Sequence, residues 1–446
     1  MLRPLAVLAV SSLLAAGCAG SDSDTTDTVD ATDTVAAPDT QSVTTDEPVV
    51  SPPPADSEAP VSDPVDTEAP STEPAPTEPP ATDPPATEPP ATDPELAAFE
   101  PIGDGPYQVG VTTITVTDIE RERPLTVDVT FPLAEGATGE PQRYTFITGD
   151  YYESPDAIAA TPDQIAPDGP FPLVVYTHGS GGLRYIASDY TEALASHGYI
   201  VVAADHSGNT AVDQFVDSSD DRATIAYNRP RDVQVLIDEM LNPESPETVG
   251  FVASVDPERI AVTGHSLGGY ATYAVVSGMS NEAGTIEPDE RIDAIIPIAP
   301  ALGDGDPATS LITDERLAAV DLPTLILVGT DDSTTPVDPN VVRAFEQASS
   351  ETIYRVELVA AEHQSFTDVC NYQSSFRELE NPTPEVLEVI DEFAVEGCSE
   401  GDMPIDRVQE LTNTFAVSFL DSVFADGQMI TPSDTEIPDD VIYTVK

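Results

Sequence analysis

Ser266 stands in Gly264-His265-Ser266-Leu267-Gly268, a G-x-S-x-G arrangement that runs on into Gly269. Arg259–Thr263 before it is a short β-branched run that reads as a buried strand, and Tyr270–Val276 after it reads as a helix. A serine on a tight turn between strand and helix forms a nucleophile elbow. The turn forces the serine backbone into a strained conformation, and the two flanking glycines let neighbouring backbone close in. The hydroxyl is presented beside the N-terminal dipole of the next helix, where it can attack a carbonyl. Alone, such a motif is also met as a plain glycine turn; the strand and the helix around it decide for the catalytic reading.

A serine hydroxyl needs a base within hydrogen-bond reach. The chain has five histidines: His178, His197, His206, His265 and His363. His265 sits inside the elbow, where its side chain is expected to point elsewhere. His178 belongs to a glycine-rich loop, His197 closes a surface helix, and His206 ends a strand where it could line the site or satisfy a core hydrogen bond, the structural role being favoured. His363, in Glu362-His363-Gln364-Ser365-Phe366, follows the serine in the loop after a strand, and is assigned as the base. The base in turn needs a carboxylate. Strand Pro323–Val328 leads into Gly329-Thr330-Asp331-Asp332-Ser333-Thr334-Thr335-Pro336, so Asp331 and Asp332 are both candidates in the chain order serine, acid, histidine. Asp304 and Asp306, after the preceding strand, are the fallback. The oxyanion of an acyl-transfer intermediate needs fixed N–H donors. Leu267, next after the nucleophile, supplies one, and Ser180 in His178-Gly179-Ser180-Gly181-Gly182 is expected to supply the other.

These residues must be held by a scaffold. Val109–Thr117 and Leu125–Phe131 alternate apolar and polar residues, as antiparallel strands at a sheet edge do. Phe171–Thr177, Tyr199–Ala204, Ile260–Thr263, Ala294–Ala299, Pro323–Val328 and Tyr354–Val359 are apolar runs suited to buried strands. Helical patterns lie at Ala187–His197, Pro230–Leu241, Val341–Gln347, Pro384–Phe393 and Arg407–Phe424. This alternation predicts an α/β fold with a mostly parallel sheet and helices on both faces.

The elbow, the glycine loop and the late histidine look like the α/β-hydrolase superfamily. More closely, the chain resembles the platelet-activating-factor acetylhydrolase family and its bacterial dienelactone-hydrolase-like and cutinase-like relatives. The likeness rests on Tyr176-Thr177-His178-Gly179, on the run Leu194–His206, on Ile260–Gly269 and on His363-Gln364-Ser365-Phe366-Thr367-Asp368, and spans about Pro170 to Asp368. It implies a serine ester hydrolase acting on short-chain or lipid esters through an acyl-enzyme, with no cofactor and no metal. It favours Asp332 over Asp331 as the acid, from its place in the loop. The sequence departs from the acetylhydrolases at Ile298-Ala299-Pro300, where their acid would stand; the acid has moved to the next strand's loop, as in cutinase-like enzymes. A cutinase-like polyesterase is therefore the alternative. A catalytically silent, surface-displayed binding module on the same fold is the rival from outside enzymology, and the complete set of triad residues speaks against it.

The chain is 446 residues long, with 81 acidic against 16 basic residues, a net charge of −65, and Lys446 as its only lysine. Such a surface repels nucleic acid and anionic membranes. Residues 1–19 read as an export signal, with Arg3 ahead of an apolar stretch from Leu5 to Ala16 too short to span a bilayer. The signal ends in Leu14-Ala15-Ala16-Gly17-Cys18, which resembles the lipobox of bacterial lipoproteins and implies a lipid on Cys18. The alternative is an ordinary secretory signal with Cys18 discarded. Both readings take the mature protein out of the cytoplasm, and membrane contact is expected only through the anchor. Residues 20–98 are rich in Thr, Pro, Asp and Glu with a repeated Pro-Pro-Ala-Thr-Glu/Asp unit, and read as a disordered stalk. The catalytic domain is assigned to residues 99–446 and expected to be a monomer. Its two cysteines, Cys370 and Cys398, are expected to pair in an exported protein, the alternative being two buried thiols.

Overall fold

The computed structural model describes residues 96–146, 148–306, 309–379, 381–425 and 427–446. The expected export signal, Cys18 and all but the last residues of the expected stalk lie outside the described residues. Ala97 and Ala98, at the stalk's end, pair in parallel with Thr435 and Glu436.

The β-branched runs form one 11-stranded sheet. Its strands are β1 Val109–Asp118, β2 Arg123–Pro132, β3 Pro141–Thr145, β4 Tyr151–Ala159, β5 Phe171–Thr177, β6 Ile200–Ala204, β7 Val255–His265, β8 Ala294–Ile298, β9 Thr324–Gly329, β10 Ile353–Leu358 and β11 Val441–Val445. The spatial order is β11-β10-β9-β8-β7-β5-β6-β2-β1-β4-β3. From β10 to β6 all neighbours run parallel, while β2 and β1 add on antiparallel as expected. The parallel strands are buried on both faces, which is why Leu173–Tyr176, Ile200–Ala204 and Leu325–Val328 are unbroken apolar runs. Beyond the predicted strands lie the β3–β4 hairpin and the C-terminal β11, antiparallel to β10.

The helices are α1 Ser188–Ser196, α2 Ala211–Phe215, α3 Arg222–Leu241, α4 Leu267–Ser277, α5 Asp314–Leu317, α6 Arg343–Gln347, α7 Val369–Glu378, α8 Pro384–Ala394 and α9 Ile405–Phe424. Helix α3 starts well before Pro230, which the sequence reading took as its first residue; Pro230 lies inside it. α7 was not foreseen. Helices flank the sheet, α1 packing on α9 and α3 on α4. Together with the parallel strands they form an α/β-hydrolase fold. Register levels the strand ends that matter: Thr177 pairs with Gly264, and His265 with Ile298. The loops after β5, β7, β9 and β10 thus leave the same edge of the sheet, and they carry the glycine loop, Ser266, Asp332 and His363.

Candidate active site

Ser266 adopts φ 56° and ψ −117° as the residue between β7 and α4. A side chain in this region is strained, by about 1–3 kcal/mol, and persists only where its surroundings fix it. They do: Ser266 N–H donates to Ile298 O at 2.9 Å, and Ser266 O accepts from Ala301 N–H at 2.9 Å and Tyr270 N–H at 3.1 Å. The end of β5 presses against the turn. A Cβ on Gly264 would stand 2.5 Å from Thr177 Cγ2, and one on Gly268 only 1.8 Å from Thr177 O. Glycine is required at both places by close approach, as the sequence reading anticipated.

His363 opens the short turn after β10. Its Nδ1 lies 2.8 Å from Asp332 Oδ2. Asp332 also accepts from the Thr335 N–H at 2.6 Å and the Thr335 hydroxyl at 2.8 Å, and the same hydroxyl lies 3.0 Å from Ala299 O. Burial opposes the charge on Asp332, but the His363 ring and the Thr335 donors outweigh it and hold the carboxyl below its usual range. A proton on Nδ1, held by this carboxylate, leaves Nε2 as the basic nitrogen. Asp331 faces solvent and accepts from the Thr330 hydroxyl at 2.9 Å. Asp304 accepts from the Asp306 N–H at 3.1 Å within its own loop. The acid beside the histidine is therefore Asp332.

His265 Nε2 donates to the His363 carbonyl at 2.9 Å. Burial first, and then the neighbouring His363, lower its pKa to about 3, so it is neutral and ties the elbow to the histidine loop. No hydrogen bond joins Ser266 Oγ to His363 among the described residues. Such bonds commonly tighten only with substrate in place. His197 contacts Gly103 O at 3.1 Å, a bland position as expected.

The glycine loop is fixed from behind. His178 is buried and bonds the Gly179 carbonyl through Nδ1 at 2.6 Å, while its Nε2 accepts from the His206 N–H at 3.2 Å. His206 has the structural role foreseen for it, lying 2.9 Å from Asp232 through Nδ1 and 2.8 Å from the Thr177 hydroxyl through Nε2. Asp232 also takes Arg121 at 2.6 Å and Arg123 at 3.0 Å. Arg229 Nη1 donates to His178 O at 2.5 Å and Nη2 to Gly179 O at 2.9 Å. Arg229, Asp232 and Thr335 escaped the sequence reading. One signal was present: Arg229 falls on the apolar face of α3 with Val233, Leu236, Ile237 and Met240, where a charge has no place without a task. Ser180 lines the cavity with Ser266, its hydroxyl accepting from Asn209 Nδ2 at 3.2 Å. Leu267 is the first residue of α4, so its N–H has no partner within the helix.

A cavity of about 310 Å³ opens over Ser266. Phe146, Tyr185, Tyr372, Val386, Ile390 and Phe393 supply much of its apolar wall. Phe146 stands edge-on to Tyr185 at 5.5 Å and to Tyr372 at 5.4 Å between ring centres. Arg184, the one arginine among the described residues lining it, is paired with Asp128 at 2.9 Å and Asp205 at 2.7 Å. Cys370, in α7, and Cys398, beyond α8, form a disulfide with Cα atoms 5.6 Å apart.

The family model described as platelet-activating factor acetylhydrolase, isoform II, matches residues 133–237, which hold the glycine loop. The PET hydrolase-like model matches residues 186–377, which hold Ser266, Asp332 and His363. No curated protein matches the chain. Among solved structures, a ferulic acid esterase from Streptomyces cinnamoneus is similar at 21% identity and a TM-score of 0.56, over 78% of this chain and 99% of that one. With the fold and the site in place, the solved structure supports the α/β-hydrolase fold, and the two family models, each matching less than half of the chain, support a carboxylic ester hydrolase.

Proposed function

We propose that the protein is an exported serine esterase that cleaves neutral short-chain or lipid esters through Ser266, His363 and Asp332. The observation that carries this reading is the His363–Asp332 pair at 2.8 Å, tied through His265, whose Nε2 lies 2.9 Å from the His363 carbonyl, to the strained Ser266 that lines an apolar cavity. Ser266 Oγ attacks the ester carbonyl as His363 Nε2 takes its proton. The N–H groups of Ser180 and Leu267 hold the oxyanion. The intermediate collapses, and His363 gives the proton to the leaving alcohol. Water, deprotonated by His363, then attacks the acyl-enzyme, and the acid leaves with Ser266 restored. Arg184 is already paired to two carboxylates, and no other arginine or lysine stands among the described residues lining the cavity, which favours neutral substrates. Its size lies at the small end of ligand pockets.

A polyesterase is the second reading. It is favoured by the acid's place after β9 and by exposed apolar residues at the cavity, Val212, Phe215 and Val389. Export rests on the signal-like start of the chain, and the anchor on Cys18. Rates on p-nitrophenyl esters of increasing chain length, with Ser266→Ala as control, test the activity. Release of soluble acid from a polyester film separates the second reading from the first. Absence of Ser266-dependent hydrolysis on every ester would overturn both. Mass spectrometry of the mature N-terminus tests the anchor: an unmodified start beyond Cys18 means a freely secreted enzyme.

A further inference from the structure

Arg229 heads the largest side chains that are fully buried, with 1% of its surface exposed. Among the described residues no carboxylate forms an ion pair with it. Asp232, three residues on in α3, is engaged by Arg121, Arg123 and His206. A guanidinium buried without a direct counterion is costly, and a neutral side chain could satisfy a carbonyl at less expense. Every donor direction that the guanidinium uses leads to the glycine loop or its support. Nη1 reaches His178 O at 2.5 Å and, at the end of β5 where the loop begins, the Thr177 hydroxyl at 3.3 Å; Nη2 reaches Gly179 O at 2.9 Å and lies 3.4 Å from His178 Nδ1; Nε and Nη2 reach Asn209 Oδ1 at 3.2 and 2.6 Å. Asn209 in turn donates to the Ser180 hydroxyl at 3.2 Å and accepts the Gly181 N–H at 3.2 Å.

The Gly179 carbonyl receives two further donors, His178 Nδ1 at 2.6 Å and the Gly182 N–H at 3.2 Å. A trans peptide is planar, with its N–H directed opposite to its C=O. Fixing the Gly179 carbonyl toward the buried guanidinium therefore fixes the Ser180 N–H toward the other side. Gly179 and Ser180 both line the cavity with Ser266, and Gly179 lies so close to the nucleophile that an added Cβ would stand 3.2 Å from Ser266 Cβ. A cation on the carbonyl end of a peptide also polarises it, which strengthens the N–H at the far end as a donor.

We propose that Arg229 is a positioning residue of the oxyanion hole: its guanidinium orients and polarises the Gly179–Ser180 peptide, so that the Ser180 N–H meets the negative oxygen formed when Ser266 attacks. The inference rests on the reading of Ser266 as nucleophile. Burial draws the Arg229 pKa down to about 9 against the pull of Asp232, which still leaves the group charged at neutral pH. The arrangement supplies a fixed positive charge behind the hole without placing any cation in the cavity.

The test compares wild type, Ser266→Ala, Arg229→Met, Arg229→Gln and Arg229→Lys on p-nitrophenyl acetate. It adds the affinities of phenylboronic acid, which forms a tetrahedral anion on a nucleophilic serine, and of acetanilide, a neutral analogue of an ester substrate. Arg229→Met is expected to lower kcat on the order of 10²-fold, as loss of an oxyanion donor does, with KM within about twofold. Boronic acid affinity should fall by a similar factor while acetanilide affinity holds. Arg229→Gln should fall between Met and wild type. Arg229→Lys keeps the charge but cannot span two carbonyls, and should recover part of kcat. Wild-type kcat and boronate affinity in Arg229→Met would overturn the proposal. So would equal losses for both inhibitors, or failure of all three Arg229 variants to fold, since these assign the residue to the architecture alone. Wild type without Ser266-dependent turnover would instead overturn the catalytic reading beneath it.

Discussion

Asp332 Oδ2 lies 2.8 Å from His363 Nδ1, whereas Asp331, its neighbour in the chain, turns to solvent and the Thr330 hydroxyl. Two adjacent carboxylates thus have opposite fates, decided by which way the loop after β9 presents each side chain. Asp332→Asn should reduce kcat by about 10³–10⁴, since the amide favours the wrong tautomer of the histidine. Asp331→Asn should change kcat less than about threefold, because an exposed carboxylate contributes little through solvent. Steady-state rates on a p-nitrophenyl ester decide the matter, and exchanged results would reassign the acid to Asp331.

Ser266→Ala and His363→Ala should each remove nearly all turnover, and the double variant should be little worse than either, because triad members act as a unit. A stability measurement adds an independent check on the elbow. Ser266 holds φ 56°, where glycine sits without steric cost. Ser266→Gly should therefore unfold at a higher temperature than Ser266→Ala, by about 1 kcal/mol of relieved strain. Equal melting temperatures would mean that the turn is not strained.

Much of this site was legible because its chemistry dictates sequence. The elbow needs glycines on either side of Ser266, and a base after the serine left His363 as the sole histidine in place. The parallel strands were legible because burial on both faces demands unbroken apolar runs. The choice between Asp331 and Asp332 was not a matter of residue type, since only side-chain direction separates them. β4 was hidden by its polar stretch Glu153-Ser154-Pro155-Asp156, which is accommodated because Ser154 bonds a buried carboxyl, Glu192, from another element. Arg229 was missed for the converse reason. Its partners are two backbone carbonyls and the uncharged side chains of Thr177 and Asn209, none of which marks a sequence as a counterion would.

The disulfide should stabilise the wall of the cavity. Cys370 and Cys398 are 28 residues apart in sequence and enclose α8, which brings Val386, Ile390 and Phe393 to the cavity. Closing a loop of that length is worth about 3–4 kcal/mol. Cys370→Ser combined with Cys398→Ser should lower the free energy of unfolding in urea by that order. It should also raise KM more for an octanoate than for an acetate ester, since a longer acyl group leans on more of α8. Unchanged stability in the double variant would refute the first expectation, and a uniform change in KM the second.

Stability should also carry the titration of Glu192. This residue of α1 is buried, accepting the Tyr144 hydroxyl at 2.6 Å and the Ser154 hydroxyl at 2.7 Å, and so joins α1 to β3 and β4. Burial raises its pKa to about 8 against the opposing hydrogen bonds from Ser154 and Tyr144. Its ordinary value is 4.5, so between 4.5 and about 8 the folded protein holds a proton that the unfolded chain has lost. Stability therefore falls with rising pH across that window. The contribution is fully present below pH 4.5 and gone once the pH has passed about 8. Glu192→Gln is neutral at every pH and keeps the shape of the protonated acid. Asp368, raised to about 7 by burial and by the charge of Asp189, titrates in both proteins and cancels to first order. Melting temperatures measured from pH 5 to 9 should therefore show the variant gaining on wild type as the pH rises, with the largest difference at the alkaline end. Parallel curves would show that Glu192 is ionised in the folded protein, held as a carboxylate by its two hydroxyl donors.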